Sequence, residues 1–131
     1  MGLKLSLKPG EKIAINGAVI VNDGRRAEFI VENQANILRE RDILTAEEAT
    51  SPARRIYLPV MLMALDPASR RTAFPEFERR LTEFAGAVSD PHALSLCLKI
   101  SAAVANGAYY RALNGCRALI DFETERLSHV A

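Results

Sequence analysis

The 131-residue chain contains no tryptophan, two cysteines and two histidines, and only 6% of its residues are aromatic. Two cysteines, Cys97 and Cys116, in helix-like surroundings make neither a disulfide framework nor a zinc-binding pattern, so a reducing compartment is expected. The histidines, His92 and His129, have no Cys, Asp or second His at ligand spacing, and no metal site is expected. Long apolar runs are also missing. The longest, Ile56 to Leu65, has ten residues, whereas a spanning helix needs about 20. The N-terminus carries Lys4, Lys8, Glu11 and Lys12 instead of an apolar stretch, so no secretory signal is expected. A cytoplasmic protein without a membrane segment is the resulting expectation. Charge of one sign is missing too. Seventeen Lys and Arg face 16 Asp and Glu, a net +1. Any hold on nucleic acid must then come from a local patch rather than from bulk attraction.

Nothing points to catalysis. Lys8-Pro9-Gly10-Glu11-Lys12 lacks phosphate-loop spacing and reads as a turn, and no G-x-S-x-G is present. Cys97 and Cys116 lie along apolar stripes, as buried inert thiols do. The chain is expected not to be an enzyme and to need no cofactor.

What is present is a change of period near residue 50. Before it apolar residues alternate: Leu3, Leu5 and Leu7 with Lys4, Ser6 and Lys8, then Ile13 and Ile15 with Lys12, Ala14 and Asn16. Pro9-Gly10 breaks the first run. Asn22-Asp23-Gly24 is a hairpin signal between Ala18–Val21 and a return strand at Phe29–Val31, and Asn36–Arg39 is a last strand. The first part thus reads as four or five antiparallel strands, a small meander or part-barrel. So small a sheet needs helices or a second copy over its apolar face.

After residue 50 the period is helical. Ser51-Pro52 is an N-cap followed by proline, opening an all-round apolar helix to Leu65 that Pro59 should kink. Phe77, Leu81, Phe84 and Val88 form one stripe, with Glu76–Arg80 and Arg79–Glu83 as i,i+4 pairs. Asp90-Pro91 starts another helix, carrying Leu94, Cys97, Leu98, Ile100 and Val104 to a stop at Asn106-Gly107. A last helix from about Ala108 to Ser128 has the stripe Tyr109, Leu113, Cys116, Ile120 and Leu127. The expected fold class is α+β: an antiparallel β-module over residues 1–50, and three to four helices over 51–131 packed on it as one compact unit.

The candidate binding residues are cations on the strand half. Lys4 and Lys8 share a face opposite the leucines. Arg25 and Arg26 follow the expected hairpin tip. Arg39 and Arg41, at i,i+2, project the same way if that segment is extended. Six cations on one rim suit a phosphate backbone or splayed bases. The bland alternative pairs them with Glu11, Glu28, Glu40 and Asp42, since residues 1–50 hold seven Lys and Arg against eight Asp and Glu. Arg54 and Arg55 oppose the dipole at a helix N-terminus. Glu47 and Glu48 are expected to offset them, and a ligand phosphate is the other option. Tyr110, next to the core position Tyr109, is a candidate exposed partner contact.

Four ordered blocks carry a resemblance across the whole chain. They are Leu3-Lys4-Leu5-Ser6-Leu7-Lys8-Pro9-Gly10-Glu11-Lys12 with Ile15-Asn16-Gly17-Ala18; Ile37-Leu38-Arg39-Glu40-Arg41-Asp42-Ile43-Leu44; Pro52-Ala53-Arg54-Arg55-Ile56-Tyr57; and Gly107-Ala108-Tyr109-Tyr110-Arg111-Ala112-Leu113 with Arg117-Ala118-Leu119-Ile120. In these the chain resembles the FlbT family of flagellin synthesis regulators of alphaproteobacteria. The resemblance implies a cytoplasmic post-transcriptional regulator, associated with the 5′ untranslated region of flagellin messenger RNA, usually a repressor of its translation and stability, and tied to FlaF and flagellin. A second, shorter likeness links Gly10-Glu11, Ile15, Val19, Phe29-Ile30-Val31, Ile37, Arg39-Glu40 and Ile43 to the strand pattern of the carbon storage regulator CsrA. That likeness implies RNA held by edge strands, here through Lys4 and Arg39 or Arg41.

The expectation is therefore a homodimer that binds the flagellin messenger leader through Lys4, Lys8, Arg25, Arg26, Arg39 and Arg41, extended by Arg54 and Arg55. The alternative is a protein-binding module, its helical half holding flagellin or FlaF near Tyr110 and acting on the messenger indirectly.

Overall fold

The computed structural model describes the backbone of residues 2–130 and the side chains of residues 2–126. His129 and Leu127 lie outside the described side chains. The chain divides into two compact units, residues 1–43 and 44–131.

The first unit holds five short strands: β1 (Leu3–Leu7), β2 (Lys12–Ile15), β3 (Ala18–Val21), β4 (Ala27–Val31) and β5 (Ile37–Arg39). They form two antiparallel sheets, β1-β4 and β3-β2-β5. The expected hairpin at Asn22-Asp23-Gly24 is not there. The tight turn is Asn16-Gly17, between Ile15 and its partner Ala18, and both turn residues have positive φ, 49° and 88°. Two positive φ values give a hairpin the twist its strands need, and Asn-Gly is the pair best suited to them. Asn22 does different work. Its Nδ2 donates to the carbonyls of Leu7 (3.1 Å), Lys8 (3.3 Å) and Arg25 (2.8 Å), and its N–H donates to Glu11 O at 3.0 Å. It steers the chain out of the β3 sheet and toward β4, which pairs with β1 instead.

Alternation works as the residue pattern predicts on β1, while on β2 Ala14 is buried as fully as its neighbour Ile13. Leu5, Leu7 and Ile13 are buried and form the core of this unit, with Ile15, Val31 and Ile37 packed against them. Leu3, at the strand start, is half exposed.

The second unit opens with a 3-10 turn, Ala46–Glu48, in which Thr45 and Glu48 form a capping box. Four helices follow: α1 (Pro52–Leu65), α2 (Arg70–Ala87), α3 (Pro91–Ala105) and α4 (Tyr109–Val130). Both cap-plus-proline starts are observed. Ser51 accepts from Arg54 N, and Asp90 accepts from the N–H groups of His92 and Ala93. The α1 helix runs on through Pro59, and α2 through Pro75, each proline leaving one carbonyl four residues earlier without a helical donor. α1 packs against α2 and α4, and α3 against α4. Ile56, Val60, Met63, Ile100, Leu113, Cys116 and Leu119 are the largest fully buried side chains there.

Three details of the helical reading need correction. Leu98 is 74% exposed rather than part of its stripe, because Cys97 and Ile100 turn the buried face away from it. Leu62 interrupts the all-round burial of α1, at 41% exposed. Arg79 pairs at i,i+3 with Glu76 (2.6 Å), and Glu83 is taken by Arg80 (3.5 Å), in place of the Arg79–Glu83 pair. The predicted Glu76–Arg80 pair is present at 2.6 Å.

Gly17 sits at φ 88°, where the Cβ of any other residue crowds the following carbonyl. Gly17→Ala is expected to lower unfolding free energy by about 1–2 kcal/mol. An unchanged denaturation midpoint in urea contradicts the left-handed turn.

Candidate functional site

On the β1-β4 ribbon, Lys4 stands opposite Ile30 and Ser6 opposite Glu28. Directly paired residues share a face, so Lys4, Ser6, Glu28 and Ile30 line the face turned away from Leu5 and Leu7. Arg26, just before β4, joins them by donating from Nε to Ser6 Oγ at 3.0 Å. Two of the sequence-predicted cations, Lys4 and Arg26, thus belong to one face, and the exposed Lys8 follows β1 directly. Lys4 Nζ lies 2.9 Å from Glu28 Oε2, but both groups are well exposed, and such a pair is worth little against water or a competing anion.

The other cations lie outside β1 and β4. Arg25 is exposed in the connection before β4. Arg39 is paired with Ile13, which puts it on the core-facing side of the second sheet, half-buried. The strand ends at Arg39, and Glu40–Asp42 forms a 3-10 turn. Residues at i and i+2 share a face only in an extended segment, and the turn ends that segment before Arg41. Arg41 is exposed, with Asp42 at 3.9 Å. Glu11 and Glu40 accept from the backbone N–H groups of Lys8 and Lys12 instead of pairing with side chains. Arg54 and Arg55 belong to the second unit.

At the α1 start, the expected compensation by Glu47 and Glu48 is replaced. Glu48 is engaged with Thr45. The carboxylate at the helix start is Glu123 of α4, whose Oε2 accepts from Ala53 N at 3.0 Å, while Arg54 Nη1 rests on Ser51 Oγ at 3.3 Å. No sequence signal marks Glu123, which lies 70 residues away.

Tyr110 is not the exposed contact it was expected to be. It is half-buried, its hydroxyl is buried without a hydrogen-bond partner, and burial raises its pKa. An apolar recess exists elsewhere in the helical unit. A cavity of about 480 Å³ is lined by Phe84, Val88 and Phe122, with Arg55, Arg80 and Arg126 among its polar groups. Arg126 lies 4.9 Å over the Phe122 ring and 2.6 Å from Asp90. Glu123 also lines this recess, with Oε1 buried and unpartnered.

Among the described residues no group of three or more His, Cys, Asp or Glu is arranged to hold a metal ion, and no helix is long and apolar enough to cross a membrane. Both cysteines are free and buried. Burial pushes the Cys116 thiol up to about 12 and raises Cys97 as well.

Two outcomes follow from these environments. At pH 8 an aromatic disulfide reagent is expected to leave both thiols unreacted in the native chain and to titrate both in denaturant; fast native labelling contradicts the burial. The Asp90 carboxyl is held below its ordinary value, first by the Ala93 N–H and then by His92 and Arg126. Its folded pKa is lower than its unfolded one, so its stabilisation is full above the ordinary carboxylate range and fades as pH falls through the lowered value. Asp90→Asn should flatten the acid limb of a stability–pH curve, and an unaltered limb contradicts the assignment.

The chain was compared with known proteins. Residues 3–127 match the family model described as flagellar protein FlbT. A relative from Caulobacter sp. (strain K31), named probable flagellum biosynthesis repressor protein FlbT, is 51% identical over the full length of both chains. The flagellum biosynthesis repressor protein FlbT of Caulobacter vibrioides (strain ATCC 19089 / CIP 103742 / CB 15) is 49% identical over all of this chain and 93% of its own. A relative from Bradyrhizobium diazoefficiens, named probable flagellum biosynthesis repressor protein FlbT 1, is 38% identical over 94% of this chain and 83% of its own. No solved structure matches. Full-length similarity at this level, with the family model covering nearly every residue, makes the chain a member of the FlbT family.

Proposed function

We propose that this protein represses flagellum biosynthesis in the cytoplasm by binding the 5′ untranslated region of flagellin messenger RNA. The repressor part rests on the names of its relatives. The RNA part rests on one observation: Lys4 and Arg26 stand on one exposed face of the β1-β4 ribbon, with the exposed Lys8 directly after β1. Lys4 is carried by β1, Arg26 is tied to Ser6 of that strand, and the exposed Glu28 yields Lys4 readily to a phosphate. Arg25 and Arg41 are free to add contacts at the margin, whereas Arg39 is half-buried and contributes less.

The test is binding of purified full-length protein to a flagellin leader at several salt concentrations. Lys8→Ala with Arg26→Ala should weaken binding and lower the salt slope by about two units, near one per lost phosphate contact. Equal affinity and slope in the double variant remove this face from the site.

The recess between Phe84, Val88 and Phe122 favours a second reading, a module that holds a protein such as flagellin or FlaF and acts on the messenger indirectly. Phe122→Glu is expected to abolish such binding and leave RNA affinity unchanged.

A further inference from the structure

Four strands of the first unit lie at sheet edges: β1 and β4 in one sheet, β3 and β5 in the other. Unpaired edges are normally guarded by charge or kept short. β1 carries Lys4, and β5 is three residues long and ends in Arg39. β3 has no guard: Ala18–Val21 is uncharged, and all four residues are exposed. β4 carries one charge, Glu28, already engaged by Lys4.

The half-exposed apolar side chains of this unit concentrate on the same two strands. Val19, Ile20 and Val21 on β3 are 45–55% exposed, and Phe29 and Ile30 on β4 are 51% and 67% exposed. Within one chain these edges are not paired, because Asn22 carries the chain from one sheet to the other.

We propose that the occupant of these edges is a second copy of the chain, with β3 of each copy pairing with β4 of the other. The result is two five-stranded sheets of order β1-β4-β3-β2-β5, each shared between copies and related by a two-fold axis. One symmetric association then covers both unguarded edges and all five side chains, and neither edge remains open for growth into a filament. Five apolar side chains about half exposed on each copy, with the two new strand pairings between them, bring the covered area toward the lower bound of about 1,000 Å² for a specific interface. RNA does not fit these edges, since β3 bears no cation.

The full-length protein at tens of micromolar should sediment at twice 14.4 kDa. Val19→Lys on β3, and separately Ile30→Lys on β4, should each return it to the monomer mass with an unaltered far-ultraviolet circular dichroism spectrum. To place the edges, singly substituted Val19→Cys and Ile30→Cys proteins are mixed and treated with a short thiol cross-linker; the native thiols are buried. A cross-linked product between the two different proteins supports the pairing. A wild-type monomer, or cross-links only between identical proteins, overturns it. Because a lysine variant that fails to fold betrays itself in the dichroism spectrum, the cysteine mixture carries the test alone in that case.

Discussion

Backbone groups on a strand edge have to find partners, and in the first unit this demand meets a shortage of strands. Five strands of three to five residues are divided between two sheets. Neither is large enough to bury its apolar face on its own, and the shared core of Leu5, Leu7 and Ile13 is small. The rest of the unit's surface follows from that shortage. Charge gathers on one face of the β1-β4 ribbon, while the edges of β3 and β4 stay open. One face is thus suited to an anion, and two edges to another strand.

The two halves of the chain differ in how much their residues reveal. Helix starts in the second unit were legible because capping is local. Ser51-Pro52 and Asp90-Pro91 supply the acceptor and the preset φ within two residues, and both are observed. The buried stripe of α4 is legible for the same reason, Leu113 and Cys116 recurring at helical spacing and both fully buried. In the first unit the strands were placed correctly, but their pairing was not. Asn16-Gly17 and Asn22-Asp23-Gly24 both look like hairpin turns, six residues apart. The choice between them is made by bonds from Asn22 to Leu7, Lys8 and Arg25, and two of those are long-range.

The candidate site shows the same division. That Lys4 opposes the leucines follows from a period of two, and the register with β4 agrees. That Arg26 joins them depends on the β1-β4 register, which no local pattern encodes. Arg39 and Arg41 were grouped on the assumption of an extended chain, and the 3-10 turn that ends the strand at Arg39 separates them. Glu123 at the start of α1 and the recess beside Phe122 arise only when distant helices meet. The family, by contrast, is legible in the residues without any geometry.

The most direct measurement of the RNA role is a titration of isotope-labelled full-length protein with a flagellin leader RNA, followed by amide chemical shifts. The account predicts that perturbations concentrate on residues 3–8 and 26–31 and fade as salt is raised. Perturbations confined to α2 and α4 around Phe84 and Phe122, or none at all, contradict it.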